Sequence, residues 1–255
     1  GLKSEKYNLK AAHNCEDRIE MEFEMSKIKL SNEKIIVTGN GRVGHGIMEI
    51  IKKLNIREVS KLEFMHKTFN EAVFVHLNTM DYNVRKDGCI AEKELFYSNP
   101  ELFKSSFMDY AINADIFIAG HYYSSGSPYF FTKDDAKLSD FNLKVVADIS
   151  CDINGPIACT IKPSTIDNPI YGYDKQSELE VDFRNEDAIA VMAVDNLPCE
   201  LPKDASEDFG NEMLAKIIPS LLISDDEQII ANATICKAGD LTQNFEYLRN
   251  YVNGN

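Results

Sequence analysis

Four glycines, Gly39, Gly41, Gly44 and Gly46, have the spacing G-x-G-x-x-G with one extra. They follow a short apolar run, Ile35-Ile36-Val37, that ends at Thr38. They precede Ile47, Ile50, Ile51 and Leu54, which recur at helical spacing. Strand, glycine turn and helix in that order is the setting in which the motif reads as a cradle for phosphates. Gly39 would make the tight turn, Gly41 would let the backbone approach a diphosphate, and Gly44 would let the helix pack close to the strand. The free amides of the helix start, those of Arg42 and Val43 among them, and its positive dipole end would face the phosphates. The plain alternative is a glycine turn that holds nothing.

A dinucleotide fingerprint also asks for an acid roughly 20 residues further on, after the second strand. Glu63 stands at about that distance. A carboxylate there would accept hydrogen bonds from the adenosine ribose and repel a 2′-phosphate, so the expected cofactor is NAD, with NADP as the alternative. Ligands of open α/β sheets sit at the carboxyl ends of strands. That rule singles out His121, Tyr122 and Tyr123 after one strand, Asp148 and Ser150 after another, and Asp195 and Leu197 after a third. Each has an ordinary reading too. Glu63 could be a surface acid, His121 a loop histidine, and the two aspartates could cap turns.

Other chemistry finds little support. G-x-S-x-G does not occur, and the five histidines form no H-x-x-x-H or H-E-x-x-H pair. The six cysteines are scattered with no C-x-x-C, so neither a zinc site nor a disulfide framework is expected. No metal is expected. A net charge of −14 argues against a nucleic-acid surface and against anionic membranes. No apolar run approaches the ~20 residues of a membrane span. Hydrophobic residues at 44% suffice for a sizeable core, and free thiols suit the cytoplasm. No residue stands out as a general acid or base. Only Asp195 is a catalytic candidate, in a supporting role.

The elements that must position these residues follow the chain. After an irregular arrival over residues 1–13, a lead-in helix is expected from Asn14, as its cap, to Leu30. Strands are expected at 35–38, 56–60, 71–77, 115–119, 143–149 and 188–194. An insertion of ~30 residues at about 78–107 exceeds ordinary α/β connections and should hold a helix from Glu101 to Tyr110. Thr132 to Leu138 reads as a capped helix, and a polar spacer runs to about Asp187. Three helices should close the chain, at 205–222 with a kink at Pro219, 229–236 and 245–252. The expected fold is α/β: a Rossmann-type, doubly wound, mainly parallel sheet over residues 31–204, flanked by helices at 1–30 and 205–255.

Four stretches together carry a resemblance. They are Gly39-Asn40-Gly41-Arg42-Val43-Gly44-His45-Gly46, Ala114 to Ile118, Val146 to Asp152, and the run from Val194 to Phe209 that reads V-D-N-L-P-C-E-L-P-K-D-A-S-E-D-F. The chain resembles the saccharopine dehydrogenase (lysine-forming) and lysine–ketoglutarate reductase family, within the alanine dehydrogenase/transhydrogenase superfamily. The resemblance covers most of residues 5–251. It implies two Rossmann-like domains, the first carrying a catalytic lysine and histidine and the second binding the nicotinamide cofactor. This chain resembles the second. The expected partner is a missing N-terminal catalytic domain, on which residues 205–255 would pack. The implied reaction condenses lysine with 2-oxoglutarate and reduces the imine to saccharopine, or the reverse. The chain alone should turn over little. Gly1 in place of a Met suggests a piece of a longer protein, and exposed apolar helix faces suggest self-association. Rival readings are a regulatory nucleotide-binding module without catalysis and an alanine dehydrogenase-like enzyme.

Overall fold

The computed structural model describes residues 6–124 and 126–254. Residues 1–5 of the expected irregular arrival, Ser125 of the aromatic loop and Asn255 lie outside them. The chain divides into two compact units, Gly1–Glu200 and Leu201–Asn255.

In the first unit, helix α1 (Arg18–Met25) is followed by strand β1 (Lys34–Thr38) and helix α2 (Arg42–Lys53). Next come β2 (Arg57–Glu58), α3 (Lys61–His66) and β3 (Val73–Leu77). The insertion after β3 contains β4 (Asn83–Arg85), α4 (Lys93–Ser98) and β5 (Phe103–Ser105). Then follow α5 (Met108–Ala111), β6 (Ile116–Ala119), α6 (Lys133–Ala136) and β7 (Val145–Asp148). Strands β8 (Tyr171–Tyr173), β9 (Glu180–Val181) and β10 (Ile189–Met192) complete the unit.

Eight of these strands form one sheet in the order β2-β3-β1-β6-β7-β10-β8-β9. It is parallel from β2 to β10, and β8 and β9 join antiparallel at the far edge. The chain leaves β1 toward one side and returns at β6 on the other. The switch point of this doubly wound sheet therefore falls beside β1, where ligands of such sheets bind.

Side-chain alternation along β1 feeds two cores. Ile36 joins an aromatic-rich layer with Phe107, Phe117, Phe130 and Phe131. Ile35 and Val37 face the other way, onto Ile47, Met48 and Ile51 of α2. These three residues come from the helical i, i+1, i+4 stripe, so burial of that stripe fixes α2 on the sheet. Helix α1 lies along α2, with Arg18 paired to Glu49 at 2.6 Å and Lys53 to Glu22 at 2.9 Å.

Several boundaries differ from expectation for local reasons. Helix α1 starts at Arg18, because Asp17 rather than Asn14 accepts the first free amides, from Ile19 and Glu20. The helix of the insertion is α4, not 101–110, since Pro100 can only start a new turn. Residues 103–105 of that expected helix instead form β5, which pairs antiparallel with β4 from before α4. The spacer before residue 187 holds β8 and β9, whose Tyr171 and Tyr173 are buried at the sheet edge.

The second unit begins with α7 (Pro202–Glu212) and passes through a π-helical turn at Met213–Ile217 into α8 (Ile218–Leu222). The wide turn precedes Pro219, where the i→i−4 ladder lacks a donor. Helix α9 (Ile229–Ala233) stops short of Cys236, which pairs in a two-residue hairpin, β11 (Cys236–Lys237) with β12 (Asp240–Leu241). The last expected helix is a 3₁₀ stretch, Gln243–Leu248, running into α10 (Arg249–Val252).

Candidate functional site

The turn between β1 and α2 is built on backbone contact that only glycine permits. Gly39 has φ +104°, and a Cβ there would stand 2.1 Å from the Gly120 carbonyl oxygen. A Cβ on Gly44 would stand 1.9 Å from the Gly39 carbonyl oxygen, so this glycine lets α2 descend onto the end of β1. His76 of β3 braces the same turn, its Nε2 lying 2.7 Å from the Gly39 oxygen. Gly41 is different. It is the N-cap of α2 in extended conformation, and an added Cβ would meet nothing within 4 Å. No protein atom demands a glycine there. The absent side chain leaves open space directly above the free amides of a 12-residue helix, the arrangement that accepts an anion.

That space is part of a cavity of about 630 Å³, within the range typical of small-molecule sites. Gly39, Asn40, Gly41, Arg42 and Val43 form its floor. Asn78, Thr79 and Met80, at the carboxyl end of β3, form one wall with Lys93 and Tyr97 of α4. Gly120, His121 and Tyr122, at the carboxyl end of β6, form the other. Among the described residues two cations line it and no carboxylate does, in a chain of net charge −14.

His121 carries a second, independent signal. Both ring nitrogens are buried and neither has a hydrogen-bond partner. Its ring packs on Phe130 with centroids 4.2 Å apart, at the end of an aromatic chain running Phe107, Phe117, Phe130. Burial pushes its pKa down to about 4, so the ring is neutral near pH 7. A neutral imidazole offers one donor and one acceptor. Orphaned polar atoms in a wall of a polar cavity are what a bound ligand would satisfy.

Six of the residues singled out from the sequence, Gly39, Gly41, Arg42, Val43, His121 and Tyr122, meet in this one cavity. Gly44 shapes it from beneath. The others lie elsewhere. Glu63 is not at a strand end but at the third position of α3, in a capping box. Its carboxylate accepts from the Ser60 amide at 3.2 Å and hydroxyl at 2.9 Å, and pairs with Lys67 at 3.0 Å. Those contacts, Lys67 first, hold its pKa down at about 2. Tyr123 packs edge-on against Tyr129.

Asp148 is buried, and its carboxylate is used up. Oδ1 accepts from the Ser150 amide (3.0 Å), the Ser150 hydroxyl (2.6 Å) and the Cys151 amide (3.2 Å), and Oδ2 accepts from the Thr160 hydroxyl at 2.6 Å. It shapes the loop after β7 together with Ser150. Cys151, at φ +55°, donates its thiol to the carbonyls of Asp148 and Val194, tying the ends of β7 and β10. Burial first, then the nearby aspartates, push that thiol up to about 11, so it stays protonated. Asp195 is exposed and Leu197 half-buried in the loop after β10. Among the described residues no group of three His, Cys, Asp or Glu could hold a metal ion. No helix among them is long and apolar enough to cross a membrane.

Asn78, Thr79, Met80, Lys93 and Tyr97 were not foreseen. The length of the insertion marked the region, but only the sheet order shows that β3, not β2, stands next to β1 and opens its carboxyl end into the cavity.

A mainly parallel, doubly wound sheet with a glycine-turned helix at its switch point defines a Rossmann-type α/β protein. No family model matches the chain. Individual relatives do. It is 26% identical to the mitochondrial alpha-aminoadipic semialdehyde synthase of Mus musculus, over 84% of this chain and 26% of that protein. It is 28% identical to alpha-aminoadipic semialdehyde synthase of Arabidopsis thaliana, over 84% of this chain and 22% of that protein. It is 29% identical to saccharopine dehydrogenase [NAD(+), L-lysine-forming] of Neurospora crassa, over 57% of this chain and 37% of that protein. The chain is thus distantly similar to alpha-aminoadipic semialdehyde synthases and saccharopine dehydrogenases. It spans about a quarter of the length of the mouse relative it matches.

Proposed function

We propose that the first unit is the nicotinamide cofactor-binding part of a saccharopine dehydrogenase-like oxidoreductase of lysine metabolism. The observation that carries this is the open space over Gly41 at the start of α2, in one cavity lined also by His121, whose buried ring nitrogens have no partner. The diphosphate would rest on the amides of Arg42 and Val43 and the positive end of α2. The dinucleotide would supply the hydride. Arg42 would add a fixed positive charge at the helix start. His121, kept neutral by burial, would orient a hydroxyl or amide of the ligand by donating one hydrogen bond and accepting another. Its low pKa suits it to orientation rather than to supplying a proton near pH 7.

A chain that binds cofactor without an acid–base pair should be inactive alone. Asp195, exposed after β10, would support the reaction only beside a separate catalytic domain. The test is fluorescence titration with reduced nicotinamide dinucleotides, on the chain as it stands and on Gly41→Val. Binding by the former and its loss in a folded Gly41→Val chain is the expected result. Absence of binding to the unmodified chain refutes the proposal. A steady-state assay with lysine, 2-oxoglutarate and reduced cofactor should show no turnover, and robust turnover would contradict the missing acid–base pair.

A further inference from the structure

We propose that Lys93 is a specificity-determining residue that selects a dinucleotide carrying a phosphate on its adenosine ribose over one without it. This rests on the dinucleotide reading and goes beyond it.

In a Rossmann-type site, the adenosine ribose lies at the carboxyl end of the strand beside β1 on the first side of the sheet, and a carboxylate there selects the free hydroxyls. That strand is β3, because the sheet order is β2-β3-β1. Beyond Leu77, its carboxyl end presents Asn78 and Thr79, neither of them acidic. The nearest acid in sequence, Asp81, is engaged. One of its oxygens accepts from the Asn78 amide at 2.7 Å and the other pairs with Lys61 at 2.5 Å. Glu63 is held in its capping box and by Lys67. Among the described residues no carboxylate lines the cavity to accept the ribose hydroxyls or to repel a phosphate.

The same wall carries a cation. The insertion after β3 places Lys93 in the cavity, with its ammonium over the Tyr97 ring at 5.7 Å. No ion pair involves Lys93 among the described residues, although the chain has 41 acidic residues against 27 basic ones. An ammonium in no ion pair, lining the same cavity as the neutral Asn78 and Thr79, favours a phosphate by charge and hydrogen bonding. The exposed Tyr97 face beside it suits stacking of a flat base.

The experiment compares NADPH and NADH affinities by fluorescence titration on the 255-residue chain and its Lys93→Gln and Lys93→Arg variants. NADPH should bind about tenfold tighter or more, as expected for a charge-assisted hydrogen bond. Lys93→Gln should remove most of that preference while leaving NADH affinity within about twofold, and Lys93→Arg should retain it. NADH binding as tightly as NADPH, or an unchanged preference in Lys93→Gln, would overturn the role of Lys93 while leaving dinucleotide binding intact. Failure of both cofactors to bind would overturn the dinucleotide reading itself, and this inference with it.

Discussion

His121 and Phe130 pack ring to ring, 4.2 Å between centroids and tilted by 50°, and the histidine's two nitrogens face no partner. The contact joins the hydrophobic core to the cavity wall. Burying an unpaired imidazole costs stability, so the ring should be worth more to a ligand than to the fold. Replacing it by phenylalanine should stabilise the free chain by about 1 kcal/mol and weaken dinucleotide binding. Urea unfolding and cofactor titration of His121→Phe check the two effects together. A destabilised variant with unchanged binding would place the histidine in the core only.

The same burial sets a pH dependence. The His121 pKa falls from 6.5 to about 4 on folding, so between those values the unfolded chain holds the proton and the folded chain does not. Its contribution to stability is complete above pH 6.5, declines as the pH falls, and is gone below about 4. Urea unfolding between pH 7 and 4.5 should show a slope that His121→Phe reduces.

The glycines divide by what stands against them. Gly39→Ala and Gly44→Ala would drive a Cβ into a carbonyl oxygen at 2.1 Å and 1.9 Å, respectively. Each should cost on the order of 3 kcal/mol, seen as a lower urea midpoint. Gly41→Ala meets nothing and should leave the midpoint unchanged while weakening cofactor binding about tenfold, since its methyl fills the diphosphate space.

Asp148 belongs to the loop rather than to the ligand. Asp148→Ala would strand the hydroxyls of Thr160 and Ser150 and two amides, at a cost of about 3 kcal/mol. Asp148→Asn should cost less and leave cofactor affinity within about twofold. Thermal unfolding and titration of both variants read this directly.

Glu63→Gln tests how a carboxylate at the right sequence distance can lie at the wrong place. It should leave NADH and NADPH affinities unchanged and lower stability slightly at pH 7, with the difference vanishing as the pH drops toward 2. Weakened NADH binding would put Glu63 back at the ribose.

The glycine turn was readable because Gly39 and Gly44 each answer a local demand, and local demands leave spacing in the sequence. The helical stripe Ile47, Ile50, Ile51 and Leu54 and the run at 35–38 were legible for the same reason. The ribose end was not. Its location depends on which strand lies beside β1, and strand order is a long-range property. Counting ~20 residues from the glycines reached Glu63, which follows the two-residue β2, whereas the strand beside β1 is β3. Lys93 stands outside any motif. Asp148 looked chemical because strand ends often are, yet a buried carboxylate with four donors around it shapes a loop. The edge strands β8 and β9 hid in a proline-containing polar stretch whose alternation is only two or three residues long.

The most direct measurement is amide hydrogen exchange over residues 39–46, with and without saturating NADPH. A diphosphate seated on the start of α2 should slow exchange at Arg42 and Val43 and leave α1 unaffected. Exchange at those amides that is the same with and without NADPH would contradict the site at Gly41.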